Sequence, residues 1–224
     1  VSGNAFNVTV TTEGALGITA SLINETGGII TLDVDGNTVM IPLLDAGNYT
    51  LNVTTLVDSN HNPMSKTANV TVNKADSSLT VSDIAFDYGS SASLNVTFEG
   101  AEAVTASVND AKGIVKVNGT VITVSALDAG SYTLTVTTVT DTNHKAVTKK
   151  VKVTVKKLKT KISAKSLTAT YNKAKKLVIT LKDAKGNPVK GVKLTVKLKN
   201  KKTLKTNKKG QIKVSTKKLA PKKY

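Results

Sequence analysis

Two eight-residue stretches of this chain are nearly identical: Leu44-Asp45-Ala46-Gly47-Asn48-Tyr49-Thr50-Leu51 and Leu127-Asp128-Ala129-Gly130-Ser131-Tyr132-Thr133-Leu134. They lie 83 residues apart, and a second pair of segments, Asp58-Ser59-Asn60-His61 and Asp141-Thr142-Asn143-His144, has the same spacing. A fixed period longer than a single hairpin is typical of modules arranged in series. The sequence therefore predicts repeated domains, each with one copy of both segments.

The repeated octapeptide has a local physical interpretation. Asp and Gly favour a turn, because Asp can hydrogen-bond its own backbone and Gly tolerates positive φ. The Tyr then begins a strand in which apolar and polar residues alternate. In immunoglobulin-like sandwiches a Tyr at this point turns its hydroxyl onto the upstream backbone, as a tyrosine corner. We interpret Tyr49 and Tyr132 in this way; the alternative is two Tyr residues in ordinary strands.

The repeat divides the chain into three predicted modules, residues 1–74, 75–157 and 158–224. We expect an all-β fold, with antiparallel immunoglobulin-like sandwiches placed end to end. The first module is expected to lack its first strand, and the second to be complete. The third ends where Leu219 to Tyr224 aligns with Leu127 to Tyr132, so Tyr224 takes the position of a corner Tyr. The third is therefore expected to lack its last two strands, which predicts poor stability alone or pairing with another chain.

Charge is distributed unevenly along the 224 residues, whose formal net charge is +17. Residues 1–155 carry a net charge of −6, whereas residues 156–224 hold 24 Lys and one acid, Asp183. Arg is absent, and Arg is the preferred residue for reading phosphates and bases, so nucleic acid is an unfavoured partner. Cys is absent as well, which excludes disulfides and thiol chemistry. No apolar run approaches the roughly 20 residues that a membrane span requires.

The motifs resemble known repeat families. The turn around Asp45 to Thr50, the segment Asp58 to Pro63 and the strand Val70-Thr71-Val72 resemble the bacterial-type immunoglobulin-like repeats of surface proteins. The third module, with Asp183…Gly186-Asn187-Pro188 and Thr206-Asn207…Gly210, resembles invasin/intimin-type modules. The Lys-only, Asn-rich tandem mixture is similar to the adhesin-like proteins of methanogenic archaea.

This resemblance implies a non-enzymatic segment at the cell surface or outside the cell, acting as a stalk or spacer and in adhesion. Its partners would be other cells or cell-surface polymers. An alternative is a binding module whose Lys-rich third domain holds anionic cell wall or glycan; a solvated, self-repelling Lys surface is the competing interpretation. A third hypothesis is an accessory segment of a larger extracellular enzyme.

Candidate sites are few. Asn-x-Thr sequons could carry glycans on an exported chain, although Asn and Thr are simply common here. The sequons are at Asn7, Asn24, Asn48, Asn52, Asn69, Asn95 and Asn118.

The segments at Asp58 and Asp141 could supply oxygen ligands to calcium, but ordinary turn chemistry explains them with fewer assumptions. Both His residues lie in these segments, and no nucleophile elbow or phosphate-binding loop occurs. We therefore expect no catalytic residue, no cofactor and no catalytic metal.

Overall fold

The computed structural model describes residues 5–224, which form twenty β-strands and no helix. The prediction of an all-β fold built from tandem immunoglobulin-like sandwich modules is confirmed. The chain divides into two compact units, one ending at Val155 and the other beginning at Lys156. The first unit contains the first two repeats, and the second contains the Lys-rich segment.

The first repeat is a single six-stranded sheet folded into two layers. Its order is β1-β4-β3-β2-β5-β6, and all neighbouring strands are antiparallel. The strands are β1 (Phe6–Thr9), β2 (Gly17–Asn24), β3 (Ile29–Asp35), β4 (Thr38–Ile41), β5 (Gly47–Leu56) and β6 (Ser65–Val72). Strand β3 connects the layers, because residues 29–32 pair with β2 whereas residues 33–35 pair with β4.

The second repeat contains nine strands in three sheets, ordered β11-β14-β15-β8, β12-β13-β9 and β10-β7. The strands are β7 (Ser78–Thr80), β8 (Ile84–Asp87), β9 (Ala92–Asn95), β10 (Thr97–Glu99), β11 (Ala103–Val108), β12 (Ile114–Asn118), β13 (Val121–Ser125), β14 (Gly130–Val139) and β15 (Thr148–Lys156). Ile122 on β13 and Leu134 on β14 belong to one buried cluster, so the sheets pack face to face.

Each repeat has its own apolar core. The first core contains Ile18, Ala20, Leu22, Leu32, Val39, Ile41, Leu44 and Leu51. The second contains twelve buried residues between Leu79 and Val155, and it shares no member with the first. Strand β14 shows how the pattern builds this core: Leu134 and Val136 point inward, whereas the intervening Thr135 stays partly exposed. Two separate cores are the physical basis for treating the repeats as modules.

The second unit has five strands and a small core. The strands are β16 (Thr160–Ala164), β17 (Lys176–Asp183), β18 (Lys193–Lys197), β19 (Lys201–Lys205) and β20 (Gln211–Ser215). They form a sheet in the order β16-β17-β20 and a separate β18-β19 hairpin. Its buried apolar residues are Leu181, Ile212 and Val214, and the hydroxyl of buried Thr206 donates to Val189 O at 2.8 Å.

Candidate functional site

The repeated octapeptides form two corners of the same geometry. The Tyr49 hydroxyl donates to Asp45 O at 3.0 Å, and the Tyr132 hydroxyl donates to Asp128 O at 2.9 Å. Each bond reaches back four residues, from the start of a strand to the turn that precedes it. The bond holds the turn in place. The turn therefore presents the Asp carboxylate, and the backbone N–H of the Ala that follows it, at one end of the sandwich.

Tyr224 makes a different bond. Its hydroxyl accepts a hydrogen bond from Ala220 N at 3.1 Å, so the Tyr oxygen is the acceptor and not the donor. The partner of Tyr224 lies four residues upstream, as do the partners of Tyr49 and Tyr132. Tyr224 is 45% exposed, and the Lys222 ammonium lies 5.1 Å from the centroid of its ring. This exposure distinguishes Tyr224 from the half-buried Tyr49 and Tyr132.

The loop between the last two strands of each of the first two repeats is also built in duplicate. Asp58 Oδ1 accepts from Asn60 N at 2.9 Å and from the ring of His61 at 2.6 Å. Asp141 Oδ1 accepts the equivalent bonds from Asn143 N and the ring of His144, both at 2.8 Å. The imidazole hydrogen bond and then the backbone N–H lower the pKa of Asp58. Hydrogen bonding to His144 likewise lowers the pKa of Asp141.

Asn143 joins the first repeat to the second. Its side-chain Nδ2 donates to Asp45 Oδ1 at 2.9 Å, and its Oδ1 accepts from Ala46 N at 2.7 Å. Its backbone oxygen accepts from Ala75 N at 2.8 Å, in the segment that connects the repeats. One residue of the second repeat therefore binds both the corner of the first repeat and the linker.

The linker itself is held on both sides. Lys145 N donates to Ala75 O at 2.9 Å, and the Lys145 ammonium contacts Asp76 at 2.8 Å, which lowers the pKa of that carboxyl. Ser77 Oγ donates to Gly100 O at 2.7 Å. A Cβ at Gly100 would lie 2.8 Å from the ring of His144, so only Gly fits there. The corner, linker and loop together define the corner–loop junction, comprising Asp45, Ala46, Ala75–Ser77, Gly100 and Asn143–Lys145.

Sequence reasoning did not identify this junction. Asp141 and Asn143 are consistent with a turn or with calcium ligands, because Asp followed two residues later by an N–H donor is a complete local motif. A turn requires the Asp side chain but not the Asn side chain. The repetition of Asn and His in both loops, at the spacing of the corners, was the available signal.

Calcium binding stays the less favoured hypothesis for the two loops, behind ordinary turn chemistry. Within residues 5–224 no group of three or more His, Asp or Glu side chains lies close enough to hold a metal ion. One carboxylate oxygen of each loop is already an acceptor for an N–H and an imidazole.

The sequons lie mainly on exposed strand and turn positions. Five are exposed, namely Asn7, Asn48, Asn69, Asn95 and Asn118. Asn24 and Asn52 are half-buried. Asn24 Oδ1 accepts from Gly28 N at 2.6 Å, and Asn48 Nδ2 donates to Glu25 at 2.6 Å. A glycan on Nδ2 would replace one of its two hydrogens, so the bond from Asn48 to Glu25 would have to use the remaining N–H. Glycosylation stays a prediction for all seven.

The β18-β19 hairpin concentrates positive charge on one face. Cross-strand register pairs Lys193 with Lys205 and Lys197 with Lys201, on either side of Thr195 and Thr203. Like charges directly opposite each other destabilise a sheet. All 24 lysines of the second unit are exposed, but this arrangement places four of them around one small surface, the Lys face.

In the part of the chain that the structure describes, no helix is long and apolar enough to cross a membrane. No protein-family model and no curated protein matches the chain. Among solved structures, domains 4 and 5 of the S-layer protein SbsC are 22% identical, covering 66% of this chain and 74% of that one, with a TM-score of 0.30.

A tandem of titin domains is 15% identical, covering 90% of this chain and 81% of that one, with a TM-score of 0.32. Fibronectin(III)-like modules of CbhA from Clostridium thermocellum are 13% identical, covering 70% and 87% of the two chains, with a TM-score of 0.29. None of these similarities bears on the function of this chain.

Removing the Asn143 side chain is expected to weaken the junction. Asn143→Ala deletes two hydrogen bonds and leaves half-buried Ala46 N without its partner, which costs about 1–2 kcal/mol. Asn60→Ala is the matched control, because Asn60 is exposed and its substitution should change stability by less than about 0.5 kcal/mol. Urea unfolding of the full chain measures both variants, and equal effects would contradict the assignment.

The two loops and the linker beside the junction are also expected to become less stable in acid. The pKa values of Asp58, Asp76 and Asp141 are lower in the fold, so each stabilises the fold above its unfolded pKa of about 3.9. This contribution is lost as pH falls through the lowered values. Melting temperatures between pH 6 and pH 2 should stay level and then fall below about pH 4. Asp141→Asn should flatten part of the fall, and an unchanged profile would contradict the role of this carboxylate.

Proposed function

We propose that this chain is a non-enzymatic segment of a cell-surface, adhesin-like protein, in which the modules serve as a stalk or spacer and contribute to adhesion. The supporting observation is the corner–loop junction, where side-chain and backbone hydrogen bonds join two separately cored modules. A short, hydrogen-bonded connection restricts bending between neighbours, which a flexible linker cannot do. Resistance to bending is the property that a spacer requires.

Location is tested by labelling intact cells of the source organism with antibodies raised against the full chain. The proposal predicts labelling without permeabilisation and loss of the label after treatment with an external protease. Labelling that requires permeabilisation would overturn the surface location.

The spacer role is tested by stretching the full chain in a force spectrometer. Two separate cores predict two unfolding events for the first unit, each releasing about 3.3–3.6 Å per residue of the module. The Asn143→Ala variant should unfold at lower force in the first of these events. A single event that releases the whole unit would show that the modules do not bear load separately.

A second candidate function is binding of an anionic wall polymer or glycan through the Lys face. The observation that favours it is the direct opposition of Lys193 to Lys205 and of Lys197 to Lys201. Four ammonium groups held together attract a polyanion, and binding would relieve their mutual repulsion.

This candidate is tested by replacing the four Lys-face residues with Gln and measuring retention on cell-wall preparations at rising salt. The matched control replaces four exposed lysines elsewhere in the same unit, Lys165, Lys208, Lys217 and Lys222, which changes the net charge equally. The candidate predicts that retention is lost in the first variant and kept in the control. Equal loss of retention in both variants would show that net charge alone, and not the Lys face, causes the binding.

A further inference from the structure

Strands β2 and β11 have nearly the same sequence but different neighbours. Residues Ile18-Thr19-Ala20-Ser21-Leu22 of β2 correspond to Val104-Thr105-Ala106-Ser107-Val108 of β11. In each repeat one edge of this strand pairs with the strand that begins at the corner, β5 or β14. In the first repeat the other edge pairs with residues 29–32 of β3, whereas in the second repeat β11 is the last strand of its sheet. The second repeat therefore leaves open an edge that the first repeat closes.

The turns that follow the two strands differ in the same way. In the first repeat Asn24 N donates to Gly28 O at 3.0 Å, and the chain then returns along β2. In the second repeat the turn at residues 109–113 leads to the other layer. Gly113 lies so close to Val108 and Leu127 that a Cβ there would overlap both side chains. Strand β12 then pairs along its whole length with β13, so the open edge arises inside the second repeat.

The backbone of β11 presents hydrogen-bonding groups along this open edge. Asn109 N donates to Thr133 O at 3.1 Å, and successive residues of an antiparallel strand bond alternately to one side and the other. The N–H and C=O groups of Val104 and Ala106 therefore point away from β14. Ala20, the counterpart of Ala106, uses the same side to pair with β3. The open edge is thus a site for one more strand.

Strand β11 also lacks the charges that protect the other edge strands. Its residues, Ala103–Val108, include no charged residue and no Pro. In the described part of the chain every other edge strand of five or more residues carries lysine. These residues are Lys66 on β6, Lys116 on β12, Lys161 on β16, Lys193 and Lys197 on β18, Lys201, Lys202 and Lys205 on β19, and Lys213 on β20. Because charge on an edge opposes pairing with another chain, β11 is the edge best suited to strand addition.

We propose that β11 pairs with β11 of a second copy of this chain, antiparallel and about a twofold axis at Thr105. Val104 of each copy then lies opposite Ala106 of the other, and each such pair exchanges both backbone hydrogen bonds. The contact uses the same surface on both copies, so it closes as a dimer and joins two four-stranded sheets into one. This side-by-side contact between chains goes beyond the spacer role.

The outer face of the sheet favours a second copy as the added strand. Thr105 lies opposite Thr137, which lies opposite Thr148, and the hydroxyls of Thr137 and Thr148 are 2.9 Å apart. The axis places Thr105 opposite its own copy, so this row of Thr side chains continues across both molecules. Cross-strand hydroxyl pairs stabilise neighbouring strands. They recur in this chain between Thr54 and Ser65, Ser93 and Thr123, and Thr195 and Thr203.

Charges at the ends of β11 select this register. An axis at Ala106 would place Glu102 opposite Asp110 of the other copy, and like charges directly opposite each other destabilise a sheet. With the axis at Thr105, Glu102 lies opposite the apolar Val108. The contact buries far less than the roughly 1,000 Å² of a stable interface. We therefore expect dimers of the full chain to form only towards about 1 mM.

The decisive experiment places a thiol at the axis of the full chain, which has no Cys. Residues that face each other without exchanging backbone hydrogen bonds have Cα atoms about 4.5 Å apart, within the reach of a disulfide. Thr105→Cys should therefore give a disulfide-linked dimer under mild oxidation. Thr19→Cys is the matched control, because Thr19 is the exposed counterpart on β2, whose edge β3 covers. The control should stay monomeric at the same concentration.

Sedimentation equilibrium tests the contact without a disulfide. Thr105→Lys brings two ammonium groups together at the axis and should abolish dimerisation, whereas Thr19→Lys should dimerise like the wild type. Circular dichroism should show all four variants folded. Equal cross-linking of the two thiol variants, a wild-type chain that is monomeric at about 1 mM, or dimers that persist in Thr105→Lys would each overturn the proposal. These measurements are made in solution, so their failure would leave the proposed stalk at the cell surface unaffected.

Discussion

Gly210→Ala is expected to unfold the second unit. Gly210 is buried in the turn that leads into β20, has a φ of +68° and accepts through its oxygen from Leu181 N at 2.8 Å. A Cβ there would overlap Leu181 O and lie 3.1 Å from Val189 N and 3.2 Å from Pro188 Cα. All three are backbone atoms, which cannot move as a side chain can. Positive φ and overpacking together cost roughly 2–6 kcal/mol.

The expected loss of stability is large relative to the stabilisation that the small apolar core of this unit provides. The buried apolar residues described in this unit are Leu181, Ile212 and Val214. Two of them, Leu181 and Ile212, lie next to the turn at Gly210. Small cores leave a small margin of stability. Amide exchange of the full chain should therefore show loss of protection on β17 and β20, with the first unit unchanged.

Gly186→Ala is the matched control in the same unit. Gly186 has a φ of +84°, but nothing lies within 4 Å of its Cβ position. It should cost only the backbone strain of a non-Gly residue at positive φ, about 1 kcal/mol. Equal effects of the two substitutions would show that contact with the Leu181 backbone does not matter.

Leu134→Ala is expected to have the second large effect. Leu134 is fully buried on β14, in the middle of the second core. Truncation leaves a cavity in a rigid sandwich, which costs about 3–5 kcal/mol. Because the two cores share no residue, protection should fall in residues 78–155 much more than in residues 17–56.

Leu22→Ala supplies the reciprocal measurement, since Leu22 is fully buried in the first core. It should reverse the pattern and reduce protection in the first repeat. If both variants lower protection evenly across the first unit, the repeats unfold as one cooperative body and the modular interpretation is wrong.

The all-β fold was predictable because its signals are local. Alternation along β14 and the turns around Asp and Gly depend on neighbours in sequence, and the 83-residue period is found by comparing the sequence with itself. Strand β3 was harder, because nothing in its sequence marks residue 32 as the point where pairing changes from β2 to β4. That change follows from closing two layers, which is a property of the whole module.

The junction could not be predicted from local pattern at all. Asn143 and Asp45 are 98 residues apart, and their contact depends on how two finished modules meet. Turn chemistry alone explains an Asn at the tip of a turn. The sequence therefore gives no sign that the Asn side chain also binds a neighbouring module. Tyr224 shows the same limit, since the sequence predicts its position but not that its hydroxyl accepts where its counterparts donate.

The Asn143 amide makes the connection between the modules sensitive to slow chemical change of one side chain. It serves as donor and acceptor at once, through Nδ2 to Asp45 and Oδ1 from Ala46. Slow hydrolysis of an Asn amide to a carboxylate replaces the donor with a negative charge, here facing a second carboxylate. The two modules would then repel where they had been joined, so ageing of a single side chain would loosen the joint without unfolding either module.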